Sequence, residues 1–369
     1  MEQLLITGRG SLTRITELTE ALGIRAPLLV CDRHTATVFP APHAALFSDF
    51  HPNPDFADCL AGAALYRGKG CDGLISMGGG SSMDTAKAIK TLLSSPTPED
   101  AMASRLSADI RVPHIAIPTT AGTGSEATAV AVMYVDGQKL SLNHAMLVPD
   151  GVVLDSSLLD TLPLYHKKSC ALDALCQGIE SFWAARATAE SRMHAQRAFL
   201  GVLKHITAYL AGDRDAADAL QQAAWESGRA IRMTATTAAH AMSYQITKKL
   251  GLAHGHACAL TLPVLWSRLL ALPETRPVTE ALAAAIGLSP EDAPRLVTGL
   301  LLAIGMRPEQ QPDDALLDYL AATVNVERLS NHPEALTKDV LRSIYAQAFA
   351  GPGTEEAAAC LALWRQYDE

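Results

Sequence analysis

Three imidazoles share one short stretch of this chain. His240 and His254 stand fourteen residues apart, and His256 follows across Gly255. Imidazole nitrogen is a common protein donor to transition metals, and two rings at this spacing reach one ion if the chain between them folds back from a helix. The alternative is that three of the twelve histidines simply fall near one another. Upstream, in Leu172-Asp-Ala-Leu-Cys-Gln-Gly-Ile-Glu180, Asp173 and Gln177 are four residues apart and share a helix face, and Glu180 continues the stripe. These oxygen-bearing side chains either complete a metal site with His240 and His254 or serve as caps and inter-helix hydrogen bonds.

Two loops offer a different chemistry. Gly78-Gly79-Gly80-Ser81-Ser82-Met83-Asp84 separates an apolar run from an expected helix over about Ser82 to Leu93. Three glycines let backbone N–H groups approach a pyrophosphate, and a helix start adds a favourable dipole. The run is not GxGxxG, and its alternative is a tight turn. Pro118-Thr119-Thr120-Ala121-Gly122-Thr123-Gly124-Ser125-Glu126 carries hydroxyls able to bond a ribose, a phosphate or an amide, or is a solvated loop. Asp32 closes the apolar run Leu28–Cys31; a carboxylate there accepts from an adenosine ribose and repels a 2′-phosphate, favouring NADH over NADPH, or else caps the next segment.

The elements that must position these groups follow from periodicity. Over residues 1 to about 160, short buried runs (Leu28–Cys31, Gly73–Met77, His114–Ile117) alternate with amphipathic ones such as Ala57–Tyr66. That pattern predicts a Rossmann-like parallel sheet covered by helices, with ligands at the carboxyl ends of its strands. From Leu162-Pro163 onward, long Ala- and Leu-rich helices are expected over 166–185, 190–210 and 216–241, with Pro and Gly breaks near 263, 273, 287–290 and 308–312. A boundary near 156–163 therefore divides an α/β domain, 1–160, from an all-α domain, 161–369.

Composition bounds the function. The chain has 369 residues, 49% hydrophobic and 19% charged, which describes an ordinary globular protein. A net charge of −9 argues against nucleic acid or an anionic membrane as partner. An anionic small substrate would need a local cluster of Arg or Lys. The seven scattered cysteines form no CxxC pair, so neither a disulfide framework nor a thiolate zinc site is expected. The amino terminus lacks a signal-peptide pattern and no apolar run is long enough to span a bilayer, which predicts a cytoplasmic protein.

Taken in order, Gly78-Gly-Gly-Ser-Ser-Met-Asp-Thr-Ala-Lys87, Pro118–Glu126, Asp173-Ala-Leu and His240…His254-Gly resemble the iron-containing (group III) alcohol dehydrogenase family over essentially the whole chain. The resemblance implies a dehydroquinate synthase-like dinucleotide domain followed by a helical metal and substrate domain, in a homo-oligomer (a dimer or larger). It implies NAD(H) or NADP(H) contacts from Gly79, Gly80, Ser81, Asp84, Thr119, Thr120, Thr123 and Lys139, with Asn53 near the adenosine. It implies Fe2+ or Zn2+ bound by Asp173, His240 and His254. The segment from His240 to Leu262 is similar, more narrowly, to the subgroup associated with phosphonate metabolism, the phosphonoacetaldehyde reductases.

Two departures stand out. Where the family has a histidine four residues after the aspartate, this chain has Gln177: its amide oxygen ligates, water takes the place, or the metal is lost. Where many members have a histidine four residues after His240, this chain has Tyr244, a candidate donor to substrate oxygen or a packed tyrosine. For an anionic substrate, Arg229, Arg232 and Lys248 are the candidate anchors, Arg229 and Arg232 being in helical phase with Thr236 and His240. The expected reaction is reduction of a small aldehyde, phosphonoacetaldehyde to 2-hydroxyethylphosphonate, with the metal polarising the carbonyl and a proton reaching it by way of the cofactor ribose, water, His256 or Tyr244. A metal-free keto-acid reductase like the maleylacetate reductases and a dehydroquinate synthase-like lyase are the alternatives.

Overall fold

The computed structural model describes residues 3–40, 44–52, 54–95, 97–307 and 311–369, which fall in two compact units, 1–162 and 163–369. Asn53 and Pro308 lie outside the described residues.

In the first unit, strands β1 (Leu4–Thr7), β2 (Pro27–Val30), β3 (Ala45–Phe47), β4 (Gly73–Gly78), β5 (His114–Pro118) and β8 (Gly151–Leu154) form one parallel sheet in the order β1-β8-β5-β4-β2-β3. Strands β6 (Val130–Val135) and β7 (Gln138–Asn143) make a separate antiparallel hairpin. Helices α1 (Ile15–Leu22), α2 (Arg33–Ala36), α3 (Phe56–Gly68), α4 (Gly80–Ser94) and α5 (Pro98–Met102) connect them. Side chains alternate across a strand, so the sheet has two cores. Leu28, Val30 and Leu74 pack with Cys59, Ala63 and Ile89 of α3 and α4 on one side. Leu29, Cys31, Ile75 and Met77 pack with Ile15 and Leu18 of α1 on the other. Strands buried on both faces read as unbroken apolar runs, which is why they were visible in the sequence. Connection order reverses between β2 and β4: β2 leads outward to β3, β4 the other way to β5. Asp32 and the glycine loop both sit at the carboxyl ends of these strands, where sheets of this kind bind ligands.

The second unit is entirely helical among its described residues: α6 (Leu164–Trp183), α7 (Ala189–Leu210), α8 (Arg214–Thr234), α9 (Ala238–Leu250), α10 (His254–Ala271), α11 (Arg276–Ile286), α12 (Asp292–Ala303), α13 (Asp314–Ala322), α14 (Val326–Leu329), α15 (Lys338–Ala350) and α16 (Thr354–Asp368). The buried face of α6 runs without interruption from Ala171 to Trp183, against α7, α8 and α10.

The helix expected over 216–241 is in fact two. The chain leaves the helix after Thr234, and Ala235 takes a positive φ of 59°, which costs a residue with a Cβ of order 1 kcal/mol and needs outside support. Asn331 supplies it, its side-chain amide donating to the carbonyls of Thr234 (2.6 Å), Ala235 (3.3 Å) and Thr236 (3.1 Å). The Thr-Ala-Thr-Thr run favours the break, since short hydroxyl side chains compete for backbone partners. Its consequence is that His240 stands in the first turn of a new helix.

Candidate metal centre and nucleotide loops

The metal candidates come from three helices. Asp173 projects from the middle of α6, His240 from the first turn of α9 and His254 from the first residue of α10. Asp173 Oδ1 lies 3.2 Å from His240 Nε2 and 3.8 Å from His254 Nε2, and the two rings meet edge to face at 5.3 Å. Cys258 is the fourth member, its Sγ 3.8 Å from His254 Nε2. One donor atom from each of the four lies within 4.8 Å of every other. The cysteines form no CxxC pair, so the sequence pattern predicts no thiolate ligand here. The signal was His254 and Cys258 at i and i+4 on one helix face.

Each member is held. Glu180, one helical turn beyond Gln177, is fully buried, and one of its oxygens binds His240 Nδ1. Its other oxygen accepts from Thr237 Oγ1 (2.6 Å) and from the backbone N–H groups of Thr237 (3.2 Å) and Ala239 (2.8 Å). Glu180 therefore caps α9 from outside, in place of a cap by Thr237 itself, and sets the His240 tautomer with Nε2 toward Asp173. Gly255 explains the His-Gly pair: a Cβ there would meet Ser169 O at 1.9 Å and Asp173 Cβ at 2.7 Å, so only glycine lets α10 rest on α6 at the aspartate. Ser243 Oγ lies 3.2 Å from His254 Nδ1.

The electrostatics match a cation site. Burial pushes the Asp173 carboxyl up, but His254 and His240 overrule it and hold it below the usual range. Burial likewise pushes the Cys258 thiol up, and the two imidazoles bring it down to about 7. Buried anions facing imidazoles are the donor set for a divalent ion of intermediate softness, so the residues fit the metal that the family resemblance implies.

Gln177 supports this group with its amide. Its Oε1 accepts from Ser227 Oγ at 2.7 Å, and its side chain hydrogen-bonds Asp173. Tyr244, one turn after His240, stacks on His254 at 5.6 Å with the rings 23° apart. Its phenol accepts from Arg328 Nη1 at 2.6 Å, and that guanidinium also lies 4.8 Å over its ring. Arg328, on α14, escaped the sequence reading because it is 84 residues away.

Other expectations need correcting. His256 is not a proton donor beside the metal group: two residues on from His254, it points to the opposite side of α10. Its Nε2 binds Met306 O at 3.0 Å and its Nδ1 meets Tyr165 OH at 3.1 Å, so it ties the helix down. Arg229 and Arg232 lose their phase with His240 at the Ala235 break. Arg229 lies over Trp225 and 3.9 Å from Glu226, which binds His194 and Arg197 of α7, on the side of α8 roughly opposite Ser227. Arg232 is exposed, with Arg229 and Glu190 among its charged neighbours, so it belongs to the same surface. Lys248 is exposed two turns beyond His240.

In the first unit, the glycine and threonine loops lie side by side because β4 and β5 are neighbours. Thr119 N donates to Gly78 O at 3.0 Å. Positions for Cβ atoms on Gly79 and Gly80 fall 3.5 Å from Thr120 Cγ2 and 3.4 Å from Thr123 Cγ2, so added side chains would fill the space over the loop. α4 opens on Gly79 with no side-chain cap, and Thr120 Oγ1 is buried without a partner among the described residues. Uncapped helix N–H groups, glycines and an orphaned hydroxyl fit a pyrophosphate-bearing cofactor. Ser81 Oγ donates to Pro52 O. Asp84 has both oxygens in internal use, accepting from Ser125 Oγ (3.2 Å) and Val132 N (3.1 Å), so it shapes the loop. Lys87, fully buried, does the same: its ammonium donates to Ser125 O (2.6 Å), Ser125 Oγ (3.1 Å), Thr128 Oγ1 (3.0 Å) and Val130 O (3.0 Å). Asp32 caps α2, accepting from His34 N and Thr35 N at 2.9 Å each. Lys139 is exposed on β7; burial holds the nearby Asp84 carboxyl up at about 6, against the opposing pull of Lys87 and, more weakly, Lys139.

A parallel sheet with candidate nucleotide loops and a buried metal-type donor set are the parts that a nicotinamide-dependent oxidoreductase needs. Comparison with known proteins agrees. Residues 3–156 match the model of iron-containing alcohol dehydrogenase, and 168–349 that of the Fe-containing alcohol dehydrogenase family, C-terminal. A phosphonoacetaldehyde reductase of Streptomyces viridochromogenes is 33% identical, covering 92% of this chain and 94% of its own. A sulfoacetaldehyde reductase from Bifidobacterium kashiwanohense, solved with NAD+, superposes with a TM-score of 0.87 at 27% identity, over 95% of this chain and 98% of its own. An iron-containing alcohol dehydrogenase from Thermococcus thioreducens shares the fold, with a TM-score of 0.85 at 22% identity over 95% and 99%. The chain belongs to the iron-containing alcohol dehydrogenase family and is an NAD(P)-dependent alcohol dehydrogenase or aldehyde reductase. Among the described residues, no helix is long and apolar enough to cross a membrane.

Proposed function

We propose that this enzyme reduces a short aldehyde carrying a tetrahedral anion, phosphonoacetaldehyde to 2-hydroxyethylphosphonate, at the expense of NADH. The observation that carries the reading is Arg328: its guanidinium is bonded to Tyr244, which is stacked on His254. A cation so close to the metal group suits a substrate whose carbonyl and anion are two carbons apart. Two similar proteins, named for phosphonoacetaldehyde and sulfoacetaldehyde, act on aldehydes of that shape.

In this reading Asp173, His240 and His254 hold a divalent ion that polarises the carbonyl oxygen, and the reduced nicotinamide supplies the hydride. Gly79, Gly80, Ser81 and Thr119, with Thr120 and Thr123, receive the cofactor diphosphate and amide. Arg328 pairs with the phosphonate by paired N–H donors, for which guanidinium geometry is suited. Tyr244 adds an O–H donor; burial pushes its phenol up despite Arg328, so it stays protonated at neutral pH. Family membership favours net hydride transfer over a redox-neutral lyase reaction, and the donor set favours a metal enzyme over a metal-free one.

The test follows NADH and NADPH absorbance with phosphonoacetaldehyde and with a neutral aldehyde of similar size, with and without added metal. We expect faster NADH consumption with the phosphonate and, in Arg328→Met, a rise in KM of roughly 100-fold for it but little change for the neutral aldehyde. Preference for the neutral aldehyde in the unaltered enzyme overturns the reading.

A further inference from the structure

We propose that the Cys258 thiolate is the fourth protein ligand of the metal, taking over the place that the family's second α6 side chain would fill, and that it makes this a zinc-selecting site. The inference rests on the metal-enzyme reading above and goes beyond it. Neither the sequence motifs nor the family resemblance assigns a sulfur donor here.

The geometry of the four donor atoms is the first argument. Three of the six separations among them are 3.2, 3.8 and 3.8 Å, and the others are at most 4.8 Å. Around a tetrahedral zinc ion with bonds of about 2.0–2.1 Å to oxygen and nitrogen and about 2.3 Å to sulfur, ligand–ligand edges come to roughly 3.3–3.6 Å. The Asp173, His240, His254 and Cys258 atoms thus already lie near the corners of one coordination sphere.

The second argument is where Gln177 has gone. It stands one turn after Asp173, in the family's histidine position, yet its oxygen is taken by Ser227 and its side chain bonds Asp173. An amide engaged on both sides steadies a ligand. The vacancy it leaves on α6 is matched by a buried sulfur on α10, one turn after His254.

The third argument is chemical. A soft thiolate raises preference for zinc over harder, oxygen-seeking ions. Asp173 and Cys258 together neutralise a divalent ion, where one carboxylate with three imidazoles would leave a net positive charge. The site is consequently a milder Lewis acid with a more tightly held ion.

Zinc K-edge absorption spectroscopy on the full-length zinc-loaded protein tests this directly. One sulfur scatterer at about 2.3 Å is expected, replaced by nitrogen and oxygen alone in Cys258→Ser and in Cys258→Ala. Cys176→Ser, on the adjoining part of α6, should keep the sulfur shell. In cobalt-substituted protein a thiolate-to-metal charge-transfer band should appear in the near ultraviolet and vanish in both Cys258 variants. Cys258→Ser should also weaken zinc binding at least as much as the roughly 100-fold that losing an outer-shell partner costs. A bound metal with only nitrogen and oxygen neighbours overturns the thiolate ligand and leaves the aldehyde reductase standing. Protein that takes up no metal overturns both.

Discussion

The two units prepare their ligands by opposite means. In the α/β unit the candidate cofactor loops offer backbone and small hydroxyls: glycines at 79 and 80, an uncapped helix start and the orphaned Thr120 hydroxyl. The charged side chains there, Asp84 and Lys87, are turned inward to fix loop shape. In the helical unit the charges themselves make up the candidate site. Asp173, His240, His254 and Cys258 are pressed together; Glu180, Gln177 and Ser243 bond them, and Ser227 holds Gln177. A dinucleotide presents many weak contacts along its length, so a shaped backbone is enough. A metal ion asks for a few strong donors within a few tenths of an ångström, and buried charges keep such positions only when each has a partner.

That contrast predicts how each unit breaks. The largest effect belongs to Asp173→Ala, which removes the central carboxylate: kcat/KM should fall roughly 1,000-fold or more, while NADH binding measured by fluorescence titration stays close to normal. Gly255→Ala comes next, because its new Cβ would clash with Ser169 O and the α6 backbone; about 3 kcal/mol or more of stability should be lost together with bound metal, read by thermal unfolding and elemental analysis. Lys87→Met in the other unit should cost about 2–4 kcal/mol through the oxygens it abandons and should weaken NADH binding with metal content unchanged. If it emptied the metal site instead, the two-part division would fail.

The last effect is a pH dependence. Burial holds His332 neutral in the folded chain down to about 4, against about 6.5 when unfolded. The unfolded chain binds a proton between these values that the folded chain does not, so this contribution to stability is complete above about pH 6.5 and is lost as pH falls toward 4. His332→Leu should flatten the melting-temperature profile across that window.

Much of the architecture was legible in the sequence. Strands buried on both faces showed as apolar runs, the parallel sheet followed from their alternation with helices, and the glycine and threonine loops fell at their carboxyl ends. Asp173, His240 and His254 were also legible, through spacing and through order along a family-like chain. The failures came wherever a helix phase or a distant partner decided the matter. Reading 216–241 as one helix carried Arg229 and Arg232 toward His240, since nothing local announced that Asn331 would hold Ala235 at positive φ.

Residue type and short-range periodicity, then, determined what this chain could offer: glycine and hydroxyl loops at strand ends, and a carboxylate and two imidazoles for an ion; the dehydrogenase reading came from the order of these motifs along a family-like chain. Tertiary structure decided which groups do it with them. It turned His256 away and His254 inward on the same helix, because two residues reverse a helix face. It sent the Gln177 oxygen to Ser227, set Cys258 beside His254, placed Glu180 under His240, and brought Arg328 across 84 residues to Tyr244. Those pairings depend on how helices pack, and packing is a property of the whole folded unit that no local window of sequence contains.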